Sequence, residues 1–142
     1  MFQIIYSSEA ATRFWPVQLV SLLELARCRN DRHNVTGMLV YCNGHFLQAL
    51  EGDSADVIRT YERIEKDIRH TRLKALFRGH SPVGRVFGEW SMGFQDVSNS
   101  IDLPSSFVRV SDRIDLLQFD HALAIEFLAA CRQKMDTRLP VG

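Results

Sequence analysis

The spacing of apolar residues and turn signals predicts an α+β fold, with a ferredoxin-like βαββαββ sheet, two helices on one face and a C-terminal helical extension. Three observations lead to this prediction. Two segments with helical periodicity each follow a segment that is typical of a β-strand. The pair Asn43-Gly44, a strong signal for a tight hairpin, joins two strand-like segments. Two further strand-like segments follow the second helix, so we expect an antiparallel or mixed sheet.

In the first half of the chain, turn residues separate apolar segments whose spacing identifies each element. These elements are a strand at Met1–Ser8, a helix from Pro16 to about Asn30 and a polar loop at Asp31–Asn34. The two strands of the hairpin follow at Gly37–Cys42 and His45–Glu51. Proline suits the first turn of a helix, and the leucines that follow it recur at helical spacing. Gly37–Cys42 is continuously apolar and rich in β-formers, as expected of a central strand.

The second half begins with Gly52-Asp53-Ser54, which ends a strand and supplies a helix cap. The helix has an apolar face at i, i+4, i+7 and i+11, formed by Val57, Tyr61, Ile64 and Ile68. Two strands follow, at Leu73–Gly79 and Glu89–Gln95, and then a polar connector at Ser98–Ser106. The last helix begins at a capping aspartate, Asp120, and runs to about Met135. We therefore divide the chain into a core domain, residues 1–97, and a C-terminal connector and helix, residues 98–142.

The two core helices leave the opposite face of the predicted sheet uncovered. The last helix carries a broad apolar stripe, formed by Leu123, Ile125, Phe127, Leu128 and Cys131. An apolar surface of this size is buried in the fold or marks an interface. The stripe therefore either covers the open face of the sheet or provides a surface for a dimer or a partner, and the two roles are compatible.

Composition excludes several classes of protein. The formal net charge is zero and the sequence pI is about 7.0, which argues against a direct nucleic-acid binder because such proteins usually carry a basic surface. The sequence has no apolar run of membrane-spanning length, and we expect no signal peptide. The three cysteines show no Cys-x-x-Cys spacing, so we expect neither a disulfide framework nor a metal site. We expect a cytoplasmic protein, with a homodimer as the default oligomer.

Two polar side chains point toward the predicted core. Gln48 shares a strand face with Phe46 and Leu50, and Tyr6 is likewise placed on the apolar face of the first strand. A buried amide must find partners for its oxygen and its N–H groups. Either these two side chains pair with each other, or a polar group foreign to the chain lies between them.

Three further residues are candidates for the same site, although each has an ordinary structural explanation. Asn30 lies at the predicted end of the first helix, where asparagine is also a common terminator. Arg63 and Asp67 are four residues apart on the second helix, a spacing that permits a surface ion pair. They also lie on a flank of its apolar face, where a ligand between the helices would meet polar groups. The sequence contains none of the common nucleotide-binding, hydrolase or metalloprotease motifs.

In combination and order, several segments resemble those of the BLUF family of blue-light sensors that use FAD. The resemblance covers roughly residues 1–97. The matching segments are, in chain order, Ile5–Ser8, Ala26–Asn30, Val35–Tyr41, Phe46–Gly52, Asp67–His70 and Arg85–Phe94. No single segment would be specific, but the combination is.

The resemblance implies that FAD binds with its flavin ring between the two core helices, over the sheet. Tyr6 matches the light-active tyrosine of the family, and Gln48 matches the glutamine between that tyrosine and the flavin. Asn30 matches the asparagine that bonds the carbonyl edge of the ring. Arg63 and Asp67 match polar residues near the other end of the ring.

The resemblance also implies a route for the signal. Trp90 and Met92 match the pair on the fifth strand that moves with the signal. The chain departs from some members at Ala26, where a serine near the flavin is replaced, and at Arg29, where a histidine is replaced. The first change removes one hydrogen bond to the flavin, and neither change endangers the photochemistry.

By this resemblance the chain is a photoreceptor without a catalytic domain of its own. It would signal to a downstream effector protein, such as a cyclic-dinucleotide phosphodiesterase or a transcription regulator. Two alternatives stay open at this point. One is a small flavin-dependent oxidoreductase of ferredoxin-like fold, which would turn over a substrate. The other is a flavin-free binding or oligomerisation module, which a colourless preparation would favour.

Overall fold

The computed structural model describes residues 1–12, 16–88, 92–97 and 119–138. Over these residues the order of elements is the predicted βαββαββ, followed by a helix. The elements are β1 (Phe2–Ala10), α1 (Pro16–Arg32), β2 (Thr36–Cys42), β3 (His45–Gly52), α2 (Ser54–Glu65), β4 (His70–His80), β5 (Gly93–Asp96) and α3 (His121–Arg138). No helix in these described ranges combines the length and the apolar character that crossing a membrane requires.

The five strands form one mixed sheet in the order β4-β1-β3-β2-β5. Strand β1 pairs antiparallel with both β3 and β4, β2 pairs antiparallel with β3, and β5 runs parallel to β2. The predicted hairpin joins β2 to β3, with Asn43 and Gly44 at φ values of 47° and 88°. This left-handed conformation is the one that a tight hairpin requires, and glycine and asparagine adopt it most readily. The predicted ferredoxin-like α+β fold is confirmed.

The prediction was wrong at the end of the second helix. Helix α2 ends at Glu65, and Ile68, predicted to lie on its buried face, is 89% exposed. The carboxylate of Asp67 accepts the main-chain N–H of Arg69, at 2.9 Å. A short polar side chain that bonds the main chain in this way competes with helical hydrogen bonding. Helical spacing therefore could not be extrapolated through Asp67.

The other boundaries differ by a few residues. Helix α1 continues to Arg32, so the first half of the polar loop predicted over Asp31–Asn34 is helical. The described part of the fifth strand is Gly93–Asp96, one residue beyond the predicted end. Trp90 and the predicted connector Ser98–Ser106 lie outside the described residues.

Two apolar clusters pack on opposite faces of the sheet. The cluster under α1 and α2 contains side chains from β1 and β3 at even positions, among them Ile4, Tyr6 and Leu50. The cluster on the other face includes Ile5 and Leu47 from the sheet and buries side chains of α3, which are Ala124, Phe127, Leu128 and Cys131. The apolar stripe of the last helix therefore covers the open face of the sheet, one of the two roles predicted for it.

Local contacts hold the N-terminal end of α3 in place. The predicted cap of α3 is confirmed, because the carboxylate of Asp120 accepts the main-chain N–H of Leu123 at 2.8 Å. The ring of His121, the first helical residue, stacks on Phe77 of β4, with ring centroids 4.2 Å apart. Helix α3 is therefore held to the sheet at its N-terminal end as well as along its apolar face.

A buried carboxylate secures the segment that leads from β4 toward β5. Glu51, near the end of β3, is fully buried. Its oxygens accept the main-chain N–H groups of Val86 and Phe87, the first at 2.8 Å, and the hydroxyl of Thr36 at 3.1 Å. Arg85 adds bonds to the Thr36 hydroxyl at 2.7 Å and to the main-chain oxygen of Asn34 at 2.8 Å. These contacts fasten residues 85–87 against the hairpin strands and so determine where the chain starts toward β5.

Candidate functional site

A cleft opens between α1 and α2, above the face of the sheet that carries Tyr6 and Gln48. Its empty volume is about 760 Å³, part of which is open to solvent. Apolar side chains from both helices and the sheet form most of the walls, and they include Leu22, Leu25, Leu39, Phe46, Leu50 and Ile64. The five residues predicted to bind a cofactor all line this cleft, which are Tyr6, Asn30, Gln48, Arg63 and Asp67.

Tyr6 and Gln48 meet at the floor of the cleft. They are directly opposite each other in the β1–β3 register, and the Tyr6 hydroxyl donates a hydrogen bond to Oε1 of Gln48. Both are buried, at 3% and 5% exposure. Side chains alternate strictly along a strand, so paired residues on neighbouring strands share a face. Of the two arrangements predicted for these polar groups, direct pairing is the one observed.

Burial keeps the Tyr6 phenol protonated. Loss of solvent raises the pKa of Tyr6 far above its ordinary value, and the nearby Tyr61 and Asp67 raise it further. The Tyr61 ring packs edge-on against Tyr6, with centroids 5.6 Å apart. The neutral phenol therefore acts as a hydrogen-bond donor, and its acceptor is the Gln48 amide oxygen.

The amide nitrogen of Gln48 points at the start of β5. Its N–H donates to the Met92 sulfur at 3.3 Å, and Met92 is buried in the cluster beneath the helices. The main-chain oxygen of Met92 accepts a hydrogen bond from Nε of Arg27, on α1, at 2.9 Å. Gln48 therefore connects the phenol on β1 with the segment that enters the edge strand β5.

Charged residues lie at the end of the cleft beyond the C-terminus of α2. Asp67 does not pair with Arg63, as helical spacing suggested, but with Arg69, whose guanidinium bonds both carboxylate oxygens, with Nε to Oδ1 at 2.9 Å. These hydrogen bonds hold the pKa of Asp67 below its usual value and raise that of Arg69. Arg63 lines the same cleft from α2. The ion pair that helical spacing permits is thus replaced by a pair with Arg69, and both Arg63 and Asp67 line the cleft.

Asn30 closes the cleft from the other helix. It is 3% exposed, and its main-chain oxygen accepts the N–H of Val35 at 2.9 Å, which ties the end of α1 to the chain before β2. Asn30 lies within α1, which continues to Arg32, so it does not terminate the helix as its type had suggested. Its side chain lines the cleft.

His70 is a cleft residue that sequence reasoning did not single out. Its Nε2 donates to the main-chain oxygen of Ile64 at 2.6 Å, and its Nδ1 lies 2.9 Å from the Ser8 hydroxyl. The ring thus joins the end of α2 to β1, and it packs 6.3 Å from the Tyr6 ring centroid. Arg69 and Arg29 also line the cleft without having been predicted to do so. The available signal for Arg69 and His70 was their position directly after Asp67.

Comparison with known proteins agrees with this geometry. The sequence model of the family described as BLUF, sensors of blue-light using FAD, matches residues 1–93. Subunit alpha of a photoactivated adenylate cyclase from Euglena gracilis is 36% identical over 89 residues, which are 62% of this chain and 8% of that protein. The blue light- and temperature-regulated antirepressor BluF of Escherichia coli K12 is 32% identical over 104 residues, which are 72% of this chain and 23% of that protein.

One solved structure shares the fold of this chain over most of its length. The ground state of the protein BlsA superposes with a TM-score of 0.77 and 27% identity, over 89% of this chain and 84% of that one. The two curated relatives are much longer than the matched region. What they share with this chain is therefore one domain, and not their whole activity.

Proposed function

Because this chain belongs to the BLUF family of sensors of blue light using FAD, we propose that Tyr6 and Gln48 are its photoactive pair. The observation that carries this proposal is the hydrogen bond between the two side chains at the floor of the cleft. The family does not favour the alternative of a small flavin-dependent oxidoreductase. FAD, the cofactor of the family, binds non-covalently in our proposal.

The cleft is suited to a flat, mostly apolar ring with polar edges. Leucine and isoleucine side chains from α1 and α2 provide apolar walls for such a ring. Amide groups of Asn30 and Gln48 offer both donors and acceptors, as ring carbonyls and ring nitrogens require. We therefore assign FAD binding to Tyr6, Asn30, Gln48, Arg63 and Asp67.

Bound flavin would supply the absorption of blue light and a transient acceptor for one electron and one proton. Tyr6 is the donor of both in our proposal, since it is neutral and buried. Its proton already points at Gln48, so the amide relays it. Return of the electron and proton leaves Tyr6 unchanged and leaves the Gln48 amide rotated or tautomerised.

An amide suits this task because its two ends have opposite hydrogen-bonding character. In the present arrangement the oxygen faces Tyr6 and the nitrogen faces the Met92 sulfur. Turning the group exchanges these partners without adding charge to a buried site. The changed contacts would bias Met92 and Trp90, to which we assign signal transmission, and through them β5 and the C-terminal helix.

We place the output in another protein. Residues 1–97 would be the sensor domain, and residues 98–142 would cap the sheet and carry the signal. The named relatives include a photoactivated cyclase and an antirepressor, so the effector would be an enzyme of cyclic nucleotides or a regulator of transcription. We propose that this chain acts in the cytoplasm as a homodimer, without an enzymatic activity or a nucleic-acid contact of its own.

The experiment that tests this proposal is absorption spectroscopy of the purified protein. It should be yellow, release FAD on denaturation, and show a reversible red shift of the flavin bands under blue light. In Tyr6→Phe the shift should be absent while FAD stays bound, because the donor of the electron and proton is missing. A normal red shift in Tyr6→Phe would contradict the assigned role.

A further inference from the structure

Arg27 connects helix α1 to the start of β5. Its Nε lies 2.9 Å from the main-chain oxygen of Met92, across 65 positions of sequence. Arg27 is one helical turn after Leu23 and three residues before Asn30, both of which are buried. The three side chains therefore lie on one side of α1, the side that faces the sheet. This contact is separate from the residues that line the cleft.

Two hydrogen bonds of different strength therefore hold Met92, one at its side chain and one at its main chain. Its side chain accepts an N–H from Gln48 at 3.3 Å, and a thioether sulfur is a weak acceptor. Its main chain accepts from a guanidinium, and hydrogen bonds from charged donors are stronger than those between neutral groups. Arg27 is itself exposed, and solvent weakens a charged hydrogen bond, but its guanidinium is still the stronger donor of the two and helps to position the Met92 main chain.

Turning the Gln48 amide would break the weaker contact. The amide oxygen would then face the Met92 sulfur, and neither atom has a hydrogen to donate. Relief of this mismatch requires Met92 to move, and movement of its main chain requires the bond from Arg27 to lengthen or break. The firm contact therefore favours the arrangement in which the Gln48 nitrogen faces sulfur.

From this geometry we infer that Arg27 is a positioning residue that stabilises the dark arrangement of Met92 and Gln48, and so sets the lifetime of the lit state. The inference rests on the proposed role of Gln48. It concerns only the speed of return, because Arg27 touches neither Tyr6 nor Gln48 among the contacts described above.

The test is the rate of dark recovery of the flavin absorbance in the FAD-loaded full chain. In Arg27→Met the aliphatic stem is kept and the donor is lost, so the dark arrangement is less favoured. We expect recovery to slow by roughly three- to tenfold, the effect of losing part of a charged hydrogen bond from the recovery barrier. The matched control is Arg32→Met, which makes the same change in the last turn of α1 and should recover at the unmodified rate.

A conservative variant and a labelled carbonyl separate positioning from a general loss of stability. Arg27→Lys keeps a charged donor and should restore most of the rate. In the unmodified protein, methionine labelled with ¹³C at its carbonyl should show a labelled infrared band that moves on illumination. That band should be absent from the difference spectrum of Met92→Leu. If Arg27→Met does not fold, a labelled Met92 band that stays fixed on illumination still overturns the inference.

The outcomes are distinct. Slow recovery in Arg27→Met, with rescue by lysine and a moving carbonyl band, supports the inference. Unchanged or faster recovery in Arg27→Met, or a labelled Met92 band that does not move with light, overturns it. If the unmodified protein shows no red shift at all, the proposed function fails and not only the role of Arg27.

Discussion

Gln48 is an amide on a central strand, and both of its ends find partners inside the protein. Tyr6 lies directly opposite it in the β1–β3 register and donates to its oxygen, while its nitrogen donates to Met92. A buried amide whose oxygen and nitrogen both have hydrogen-bond partners normally stabilises the fold. Here the two partners belong to the first strand and to the approach to the last strand. One rotation of a single side chain would therefore change contacts at two distant points of the sequence.

Sequence reasoning found this pair because strands have a period of two. The neighbours Phe46 and Leu50 identified the buried face, and parity placed Gln48 on it. No comparable rule pointed to Arg27, since helical spacing gives the side of a helix but not the distant segment that it touches. Likewise, Arg69 and His70 follow the end of α2, and their placement on the cleft depends on the path of the chain after that helix.

The raised pKa of Tyr6 predicts a particular loss of stability in alkali. Its ordinary value is 10.0, and burial places the folded value above this, so the folded protein holds a proton that the unfolded chain releases. The contribution is complete below pH 10 and declines as the pH rises beyond it. Above that pH the free energy of unfolding should fall about 1.4 kcal/mol less per pH unit in Tyr6→Phe than in the unmodified protein.

The measurement is urea unfolding at a series of pH values from about 9 to 11, with equal slopes m required at each pH. Comparison of the two proteins cancels the contribution of most other groups. Identical pH dependence in the two proteins would mean that the Tyr6 phenol ionises in the folded state as readily as in the unfolded chain.

At the scale of elements, the sheet was easier to predict than the ends of the helices. The hairpin follows from Asn43-Gly44, and the burial of strand faces follows from the pattern of apolar residues. The end of α2 does not, because Ile68 continues the apolar spacing although the chain has already left the helix. The side chain of Asp67 bonds the chain ahead of it and not the preceding turn. The spacing of apolar residues does not reveal such competition between a side chain and the hydrogen bonds of a helix.

Glu51 should be important for the stability of the segment that precedes β5. In Glu51→Ala, the N–H groups of Val86 and Phe87 lose their acceptor. Each such loss costs about 1–3 kcal/mol, so we expect the free energy of unfolding to fall by about 3 kcal/mol in total. Denaturant unfolding monitored by circular dichroism provides the measurement.

The matched control for this change is Glu62→Ala, which removes the same side chain from the exposed surface of α2. Its effect should stay within about 0.5 kcal/mol, as for most surface substitutions. If Glu51→Ala were as mild as Glu62→Ala, the carboxylate would not hold residues 85–87 in place.

At the scale of the whole molecule, the sheet separates the cleft from the last helix. One face carries the cleft with Tyr6 and Gln48, and the opposite face is covered by α3. A five-stranded sheet is one continuous hydrogen-bonded unit, so a change at β5 can reach either face. This division makes α3 the natural candidate to receive a change that begins in the cleft, although the step itself is part of our proposal.

Removal of a buried side chain from α3 should measure how firmly this helix is attached. Phe127 is fully buried against the sheet, and its ring contacts that of Phe119. We expect Phe127→Ala to lower the free energy of unfolding by about 3–5 kcal/mol, as large-to-small changes do in a packed core. Glu126→Ala, at an exposed position of the same helix, is the control and should have little effect. Equal stability of the two variants would show that α3 adds little to the fold.

The measurement that tests the central claim most directly is the light-minus-dark absorption spectrum of the FAD-loaded protein beside that of Gln48→Leu. The leucine keeps the volume of the side chain but offers neither acceptor nor donor to Tyr6 and Met92. We predict a reversible red shift in the unmodified protein and none in Gln48→Leu, with equal FAD content in both. A normal photocycle in Gln48→Leu would contradict the claim that this amide is the moving part of the switch.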